Sequence, residues 1–176
     1  MAYNRLQTMR DNIEAIRMAF SLGVAGRTVQ TAEEREVLRK YAGFGGLKCI
    51  LNDANELADA TKWSKSDIEL FAPTMELRRL IHDYSKDDKE FAVYMDSLKA
   101  SVLTAFYTPV PVIDAISDAL KNSGVEIRSF LEPSAGQGAF IDSFLRNDRY
   151  PGTEVLAYEK DLLTGKILSA LHPSIL

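Results

Sequence analysis

The stretch Ser129-Phe-Leu-Glu-Pro-Ser-Ala-Gly-Gln-Gly-Ala-Phe-Ile141 decides the fold that the sequence predicts. It has the pattern of a short apolar strand, a turn with glycines at 136 and 138, and an amphipathic helix. Such a turn brings backbone N–H groups and a helix N-terminus to the carboxyl end of a parallel strand, where open α/β folds bind ligands. The stretch therefore predicts a cofactor site. The alternative is an ordinary strand-to-helix turn whose glycines serve only the backbone.

The residues around this turn discriminate between cofactors. The dinucleotide fingerprint has a third glycine three positions after the second, and this chain has Ile141 there. A carboxylate at Glu132, at the tip of the strand, would repel a pyrophosphate, whereas it suits a ligand with an ammonium group and a sulfonium centre. S-adenosylmethionine is such a ligand, so it is the expected cofactor.

A second strand, Glu154-Val-Leu-Ala-Tyr158, follows the helix and leads to Glu159. Glu159 follows Gly138 at about the 20-residue offset at which a strand–helix–strand unit delivers an acid to ribose hydroxyls. A carboxylate has two oxygens that can accept from the two hydroxyls of a diol. Glu159 is therefore the first candidate for the ribose contact, and Asp161 is the neighbour that could be confused with it.

Two motifs support a family resemblance. Leu131-Glu-Pro-Ser-Ala-Gly-Gln-Gly-Ala-Phe140 resembles the first cofactor motif of DNA methyltransferases that modify the exocyclic amino group of adenine, and Thr104-Ala-Phe-Tyr-Thr-Pro109 resembles the segment that precedes it. The resemblance implies that the upstream segment lies beside the methionine moiety, that the Glu-Pro turn wraps the amino-acid end, and that an acid holds the ribose. The cofactor-binding residues that it implies are Tyr107, Thr108, Pro109, Glu132, Pro133, Ser134, Gly136, Gly138 and Glu159.

A further resemblance lies upstream. Tyr41-Ala-Gly-Phe-Gly-Gly-Leu-Lys48 is similar to a signature that precedes the methylase region in large methylase-helicase proteins of conjugative mobile elements. Its glycines give a backbone that is free to adopt positive φ. Two interpretations are open: a loop that closes over the cofactor or contacts a DNA backbone, and a helix terminator whose Phe44 fills the core.

The catalytic signature of the family is Asn, Asp or Ser followed by Pro-Pro and an aromatic residue, and the chain has no Pro-Pro pair. No catalytic residue is therefore predicted, and we expect that the chain alone does not transfer a methyl group. The resemblance implies the N-terminal, cofactor-binding part of an enzyme that methylates DNA adenine, as in restriction-modification, with DNA contacted mainly by parts outside this chain. Two alternatives stay open: a non-catalytic binding or interaction module, and a methyltransferase with a non-DNA substrate.

The predicted organisation is a helical region at 1–103 followed at 104–176 by the incomplete start of a methyltransferase domain. The predicted fold class is thus α/β, with the first βαβ unit of a truncated, doubly wound, Rossmann-like fold. Two strands cannot form a stable open sheet alone, because the free edge presents unpaired backbone groups. We therefore expect the edge to be covered by the N-terminal helices or paired with another copy of the chain.

Composition narrows the class of protein. One cysteine, Cys49, excludes an intramolecular disulfide, and two histidines without a nearby cysteine or acidic cluster give no metal site. The polar N-terminus and short apolar runs predict no signal peptide and no membrane span, so we expect a cytoplasmic protein. The net charge of −4 argues against a chain that coats nucleic acid non-specifically.

Local signals predict several helices before residue 104. Apolar residues recur at helical spacing from Asn4 to Leu22, and Thr31 with Glu34 forms a capping box for a second helix. A third helix is expected to begin at Ser66 and to be broken by Pro73.

Overall fold

The computed structural model of the chain describes residues 4–146 and 152–175. Within them, helices far outweigh strands. The helices are α1 (Arg5–Val24), α2 (Ala32–Arg39), α3 (Phe71–Tyr84), α4 (Asp88–Thr104), α5 (Val110–Asn122), α6 (Ala139–Leu145) and α7 (Leu162–Leu171). Three short 3₁₀ helices span Lys48–Leu51, Leu57–Lys62 and Ile68–Leu70, and the strands are β1 (Ser129–Glu132) and β2 (Glu154–Ala157).

Helix starts follow from short-range capping. The side chain of Asn4 accepts a hydrogen bond from the backbone N–H of Gln7 at the start of α1. At the start of α2, Thr31 and Glu34 form the reciprocal capping box that the sequence predicted. Such caps satisfy N–H groups that have no partner inside the helix, and this prediction is confirmed.

The prediction that Pro73 breaks a helix is wrong. A 3₁₀ turn ends at Leu70, and α3 begins directly after it at Phe71, so Pro73 lies in the first turn of α3. The first backbone N–H groups of a helix have no intrahelical acceptor, so a proline there loses no hydrogen bond.

One continuous core connects the N-terminal helices with the end of the described chain. Apolar side chains from α1, α3, α4, α7 and residues 41–50 pack into a single cluster. The buried members include Met9, Ile13, Ile16, Phe44, Leu77, Ile81, Leu98, Leu163, Ile167 and Leu171. Helix α7 therefore packs in the same core as the helices that precede residue 104.

The predicted truncated, doubly wound α/β fold is wrong. β1 and β2 pair in parallel, Ser129 opposite Glu154 and Glu132 opposite Ala157, and the described ranges contain no further strand in this sheet. The chain is mostly helical, and no Rossmann-like methyltransferase fold is evident in the described residues. The physical reason is that strand–turn–helix is a local pattern, whereas a doubly wound fold needs several strands between two helical layers.

The two faces of this sheet differ. Leu131 and Leu156 lie opposite each other in the register and are 60% and 50% exposed. Phe130 and Val155, which point to the other face, pack against a small buried cluster that includes Ile141. Coverage of the sheet edge by a second copy stays a prediction. Within 4–146 and 152–175, no helix has the length and apolarity that crossing a membrane requires.

Candidate ligand-binding cleft

Three sequence motifs that are far apart in the chain meet at Tyr107. A Cβ atom added to Gly43 would lie 2.9 Å from the hydroxyl oxygen of Tyr107, and one added to Gly136 would lie 3.1 Å from its Cε1. Both glycines have positive φ, at 73° and 55°. The ring of Tyr107 therefore contacts the 41–48 loop and the turn after β1, and these two positions suit only glycine.

The 41–48 loop is held from α1 by Asn12, a residue that sequence reasoning missed. Asn12 is completely buried. Its Nδ2 donates to the carbonyl oxygen of Gly43 at 2.6 Å, and its Oδ1 accepts from the backbone N–H of Ala42 at 2.8 Å. The only sequence signal was a polar residue beside an apolar helical stripe. Phe44 is buried in the core, which fits the helix-terminator interpretation of this loop.

A chain of hydroxyl groups lies beneath Tyr107. Thr164 Oγ1 donates to Asp161 Oδ1 at 2.6 Å, so the hydroxyls of Tyr41 and Tyr107, 2.9 Å and 3.3 Å away, donate to Thr164. Burial raises the pKa of Tyr107 to about 12 and raises the pKa of Tyr41 well above its ordinary value. Both phenols therefore act as neutral donors at neutral pH.

Glu159 connects the glycine turn to the start of α7. Its Oε2 accepts from the backbone N–H of Gly136, and its Oε1 accepts from the backbone N–H of Asp161, both at 2.8 Å. Asp161 caps α7 by accepting from the backbone N–H of Thr164 at 2.7 Å. Each oxygen of Glu159 keeps a second lone pair for a ligand, so the ribose contact stays a prediction.

A cleft of about 640 Å³ opens beside Tyr107, between α4, the 104–107 connector and the start of α7. We call it the motif cleft. Of the nine predicted residues, Tyr107, Ser134 and Glu159 line it. Sequence reasoning did not select Asp96 and Phe106, which also line it. Phe106 is 69% exposed, so its side chain is accessible to a ligand.

The other predicted site residues lie outside the lining of the motif cleft. Thr108, Pro109 and Pro133 are exposed, and Gly136 is buried behind Tyr107. Glu132 is half-buried and accepts from the backbone N–H of Ser134 at 3.2 Å.

Gly138 has a packing role. Its φ is 91°, and a Cβ atom there would lie 2.5 Å from Nε2 of His172. The structure thus explains this glycine by its contact with the C-terminal end of α7, whereas the motif cleft lies at the start of that helix.

Acidic side chains dominate the charge of the motif cleft. Asp96, Glu159 and Asp161 line it together with one cation, Lys160. A cleft with more carboxylates than cations attracts a positively charged ligand and repels a phosphate. Its volume lies within the range of small-molecule sites, about 300–1,000 Å³.

No protein-family profile matches the chain, and no solved structure is similar to it. The chain is similar to the Defense against restriction protein B of Escherichia phage P1, with 35% identity over 72 residues. The similar region is 40% of this chain and 3% of the phage protein, so the chain corresponds to a small fraction of that relative.

These findings overturn the resemblance to adenine-specific DNA methyltransferases and to methylase-helicase proteins of mobile elements. No methyltransferase family matches, and the similar phage protein is named for defence against restriction. The assignment to DNA methylation and restriction-modification is wrong on the same finding. The physical reason is that the motifs are short, and packing around Tyr107 accounts for glycines 43 and 136 without any cofactor.

Proposed function

We propose that this chain is a small-molecule-binding module whose motif cleft takes S-adenosylmethionine. The observation that carries the proposal is the joint presence of three carboxylates and an exposed aromatic ring in one cleft of suitable size. The carboxylates complement the ammonium and sulfonium charges of this ligand. Phe106 offers a face on which a purine can stack.

The residues of the cleft fit the ligand without any catalytic group. Glu159 is fixed by two backbone N–H groups, and its remaining lone pairs suit ribose hydroxyls. Binding is therefore the proposed activity. Methyl transfer to DNA adenine is no part of this proposal.

The test is a calorimetric titration of the chain with S-adenosylmethionine and with S-adenosylhomocysteine, which lacks the sulfonium charge. We expect the thioether to bind about tenfold more weakly, because it loses attraction to the carboxylates. Equal binding of the two ligands would contradict the electrostatic argument. Absence of heat with both ligands would overturn the proposal.

Two variants locate the site without disturbing the hydroxyl network. Phe106→Ala removes the stacking face and should weaken binding about tenfold. Leu57→Ala is its control, because Leu57 is 79% exposed and does not line the cleft. Asp96→Asn removes one cleft charge, and Asp83→Asn removes one outside it. Binding that survives both cleft variants unchanged would place the ligand elsewhere.

The phage relative supports a restriction-related setting for this module. Its printed name is Defense against restriction protein B, and the chain is 35% identical to it over 72 residues. We propose that the chain serves as one part of a longer protein with such a role. The test compares restricting host cells with and without the full-length gene. Phage with unmodified DNA should form plaques at higher efficiency on the cells that carry the gene. Loss of protection with Phe106→Ala would connect that role to the motif cleft, and protection without dependence on the gene would refute it.

A further inference from the structure

A second pocket lies at the opposite end of α7 from the motif cleft. It has a volume of about 430 Å³, and three arginines line it together with His172 and one carboxylate, Asp142. Arg35 and Arg39 come from α2, and Arg146 directly follows α6. We call it the arginine pocket. Three guanidinium groups from two separate parts of the chain converge there although the chain as a whole carries a net charge of −4.

The acidic neighbours engage these arginines only in part. Arg39 Nη2 donates to Asp142 Oδ2 at 3.0 Å, and Arg146 Nη1 donates to Asp114 Oδ2 at 3.2 Å. Arg35 donates to the carbonyl oxygen of Leu171 at 3.5 Å. A guanidinium has five N–H donors, and each of these contacts uses one. The group retains donor capacity for a further anion.

His172 supplies an independent observation. Its side chain is only 10% exposed, and among the described residues its buried Nε2 has no hydrogen-bond partner. The nearest carboxylate oxygen, Asp142 Oδ1, is 3.7 Å from Nε2. Buried polar atoms are nearly always hydrogen-bonded, so Nε2, which lies against Gly138, is an exception. The pKa of His172 lies below its ordinary value, chiefly because of burial. The charges of Arg35 and Arg39 also lower it, and the charge of Asp142 opposes them.

We propose that the arginine pocket binds a phosphate group, with Arg35, Arg39 and Arg146 as charged donors and His172 in its lining. Planar guanidinium groups match the geometry of phosphate oxygens. The phosphate belongs either to a nucleic-acid backbone or to a small phosphate compound. The site is separate from the motif cleft, so it does not rest on the function proposed above.

The first experiment is a calorimetric titration of the chain with inorganic phosphate. Arg39→Gln should weaken binding about tenfold, because it removes charge-assisted hydrogen bonds. Arg17→Gln is the control: Arg17 is also exposed and paired with carboxylates, those of Glu14 and Glu76, but lies outside the pocket. Equal weakening by both variants would show a non-specific charge effect and would overturn the proposal.

The second experiment uses the parent chain and needs no variant. Nuclear magnetic resonance can follow the two histidines, His82 and His172, through a pH titration with and without phosphate. A bound anion favours the imidazolium form, so phosphate should raise the pKa of His172. His82 is exposed and serves as the internal reference. A His172 pKa that is unaffected by saturating phosphate would overturn the proposal.

A third experiment identifies the source of the phosphate. A fluorescent duplex oligonucleotide is titrated with the chain at several salt concentrations, and inorganic phosphate is then added as competitor. Duplex binding that depends on Arg39 and is displaced by phosphate supports a nucleic-acid backbone, and its affinity should fall steeply with salt. Binding of inorganic phosphate without duplex binding supports a small phosphate compound. Binding of neither refutes the site.

Discussion

The substitution Asn12→Asp tests how the 41–48 loop is held. Asn12 is completely buried, and its amide donates to the carbonyl oxygen of Gly43 while its oxygen accepts from Ala42. An aspartate has nearly the same shape and keeps the acceptor. When ionised it has no donor for Gly43, and its charge lies in a completely buried site beside a carbonyl oxygen. When protonated, its O–H can donate in place of the amide N–H.

The magnitude follows from this protonation equilibrium. Near pH 4 the neutral acid replaces the amide, so we expect a loss of about 1 kcal/mol in the free energy of unfolding. Burial raises the pKa of the introduced carboxyl. At pH 7 the folded chain must either bury the charge or protonate it, and protonating a group of pKa near 4 costs about 4 kcal/mol. The destabilisation should therefore grow with rising pH, from about 1 kcal/mol to about 4–5 kcal/mol.

Urea unfolding at pH 4, 5.5 and 7 measures this directly. With a slope of about 2 kcal/mol per molar urea, the midpoint of Asn12→Asp should lie about 0.5 M below the parent at pH 4 and about 2 M below it at pH 7. The control is Asn4→Asp, the same chemical change at the exposed N-cap of α1. Asp and Asn are equivalent N-caps, so its effect should stay within about 0.5 kcal/mol. A pH-independent loss at Asn12 would refute the reasoning.

Three further predictions concern stability and titration. Gly45→Ala should destabilise the chain by about 3 kcal/mol in urea unfolding, because its Cβ would overlap the carbonyl oxygen of Ala105. Gly23→Ala meets no atom within 4 Å in helix α1 and should instead stabilise by about 0.5 kcal/mol. Burial raises the pKa of Tyr107 to about 12, so its contribution to stability is full below pH 10 and falls by about 2–3 kcal/mol as pH rises from 10 to 12. Tyr107→Phe should remove this part of the fall, while Tyr41, whose pKa burial also raises, keeps its own contribution. A carboxyl-carbon resonance titration should place the pKa of Glu34 at about 2, since a paired guanidinium and backbone N–H groups stabilise its charged form; a value above 4 would contradict that pairing.

The helix starts could be predicted from the sequence because their causes are local. Thr31 and Glu34 are three residues apart, and the capping box between them forms without help from the rest of the chain. Pro73 was ambiguous, since proline both breaks a helix interior and fits a first turn. The choice depended on the 3₁₀ turn before it, which packs Leu70 into the core.

The fold class could not be predicted from the turn after β1. The pattern at Ser129–Ile141 specifies a strand, a turn and a helix, but nothing within it specifies how many strands follow. The hydrogen bonds of Asn12 to the 41–48 loop could not be predicted either, because its partner Gly43 is 31 residues away. The sequence indicated only that glycines 43 and 136 are free to adopt positive φ. Their actual constraint is the ring of Tyr107, which no spacing rule reveals.

The shape of the motif cleft depends on residues far from it in sequence. Asn12 fixes the backbone around Gly43, Gly43 contacts Tyr107, and Tyr107 lines the cleft and contacts Gly136. A shift of α1 therefore reaches the cleft through side chains in direct contact. Helix α7 adds a second connection, because its apolar side packs against α1 while its capping residue, Asp161, lines the cleft. Burial of each large aliphatic side chain of α7 contributes about 1.5–3 kcal/mol. The cleft exists only where the N-terminal helices and α7 are folded together, and ligand binding there should accordingly stabilise both.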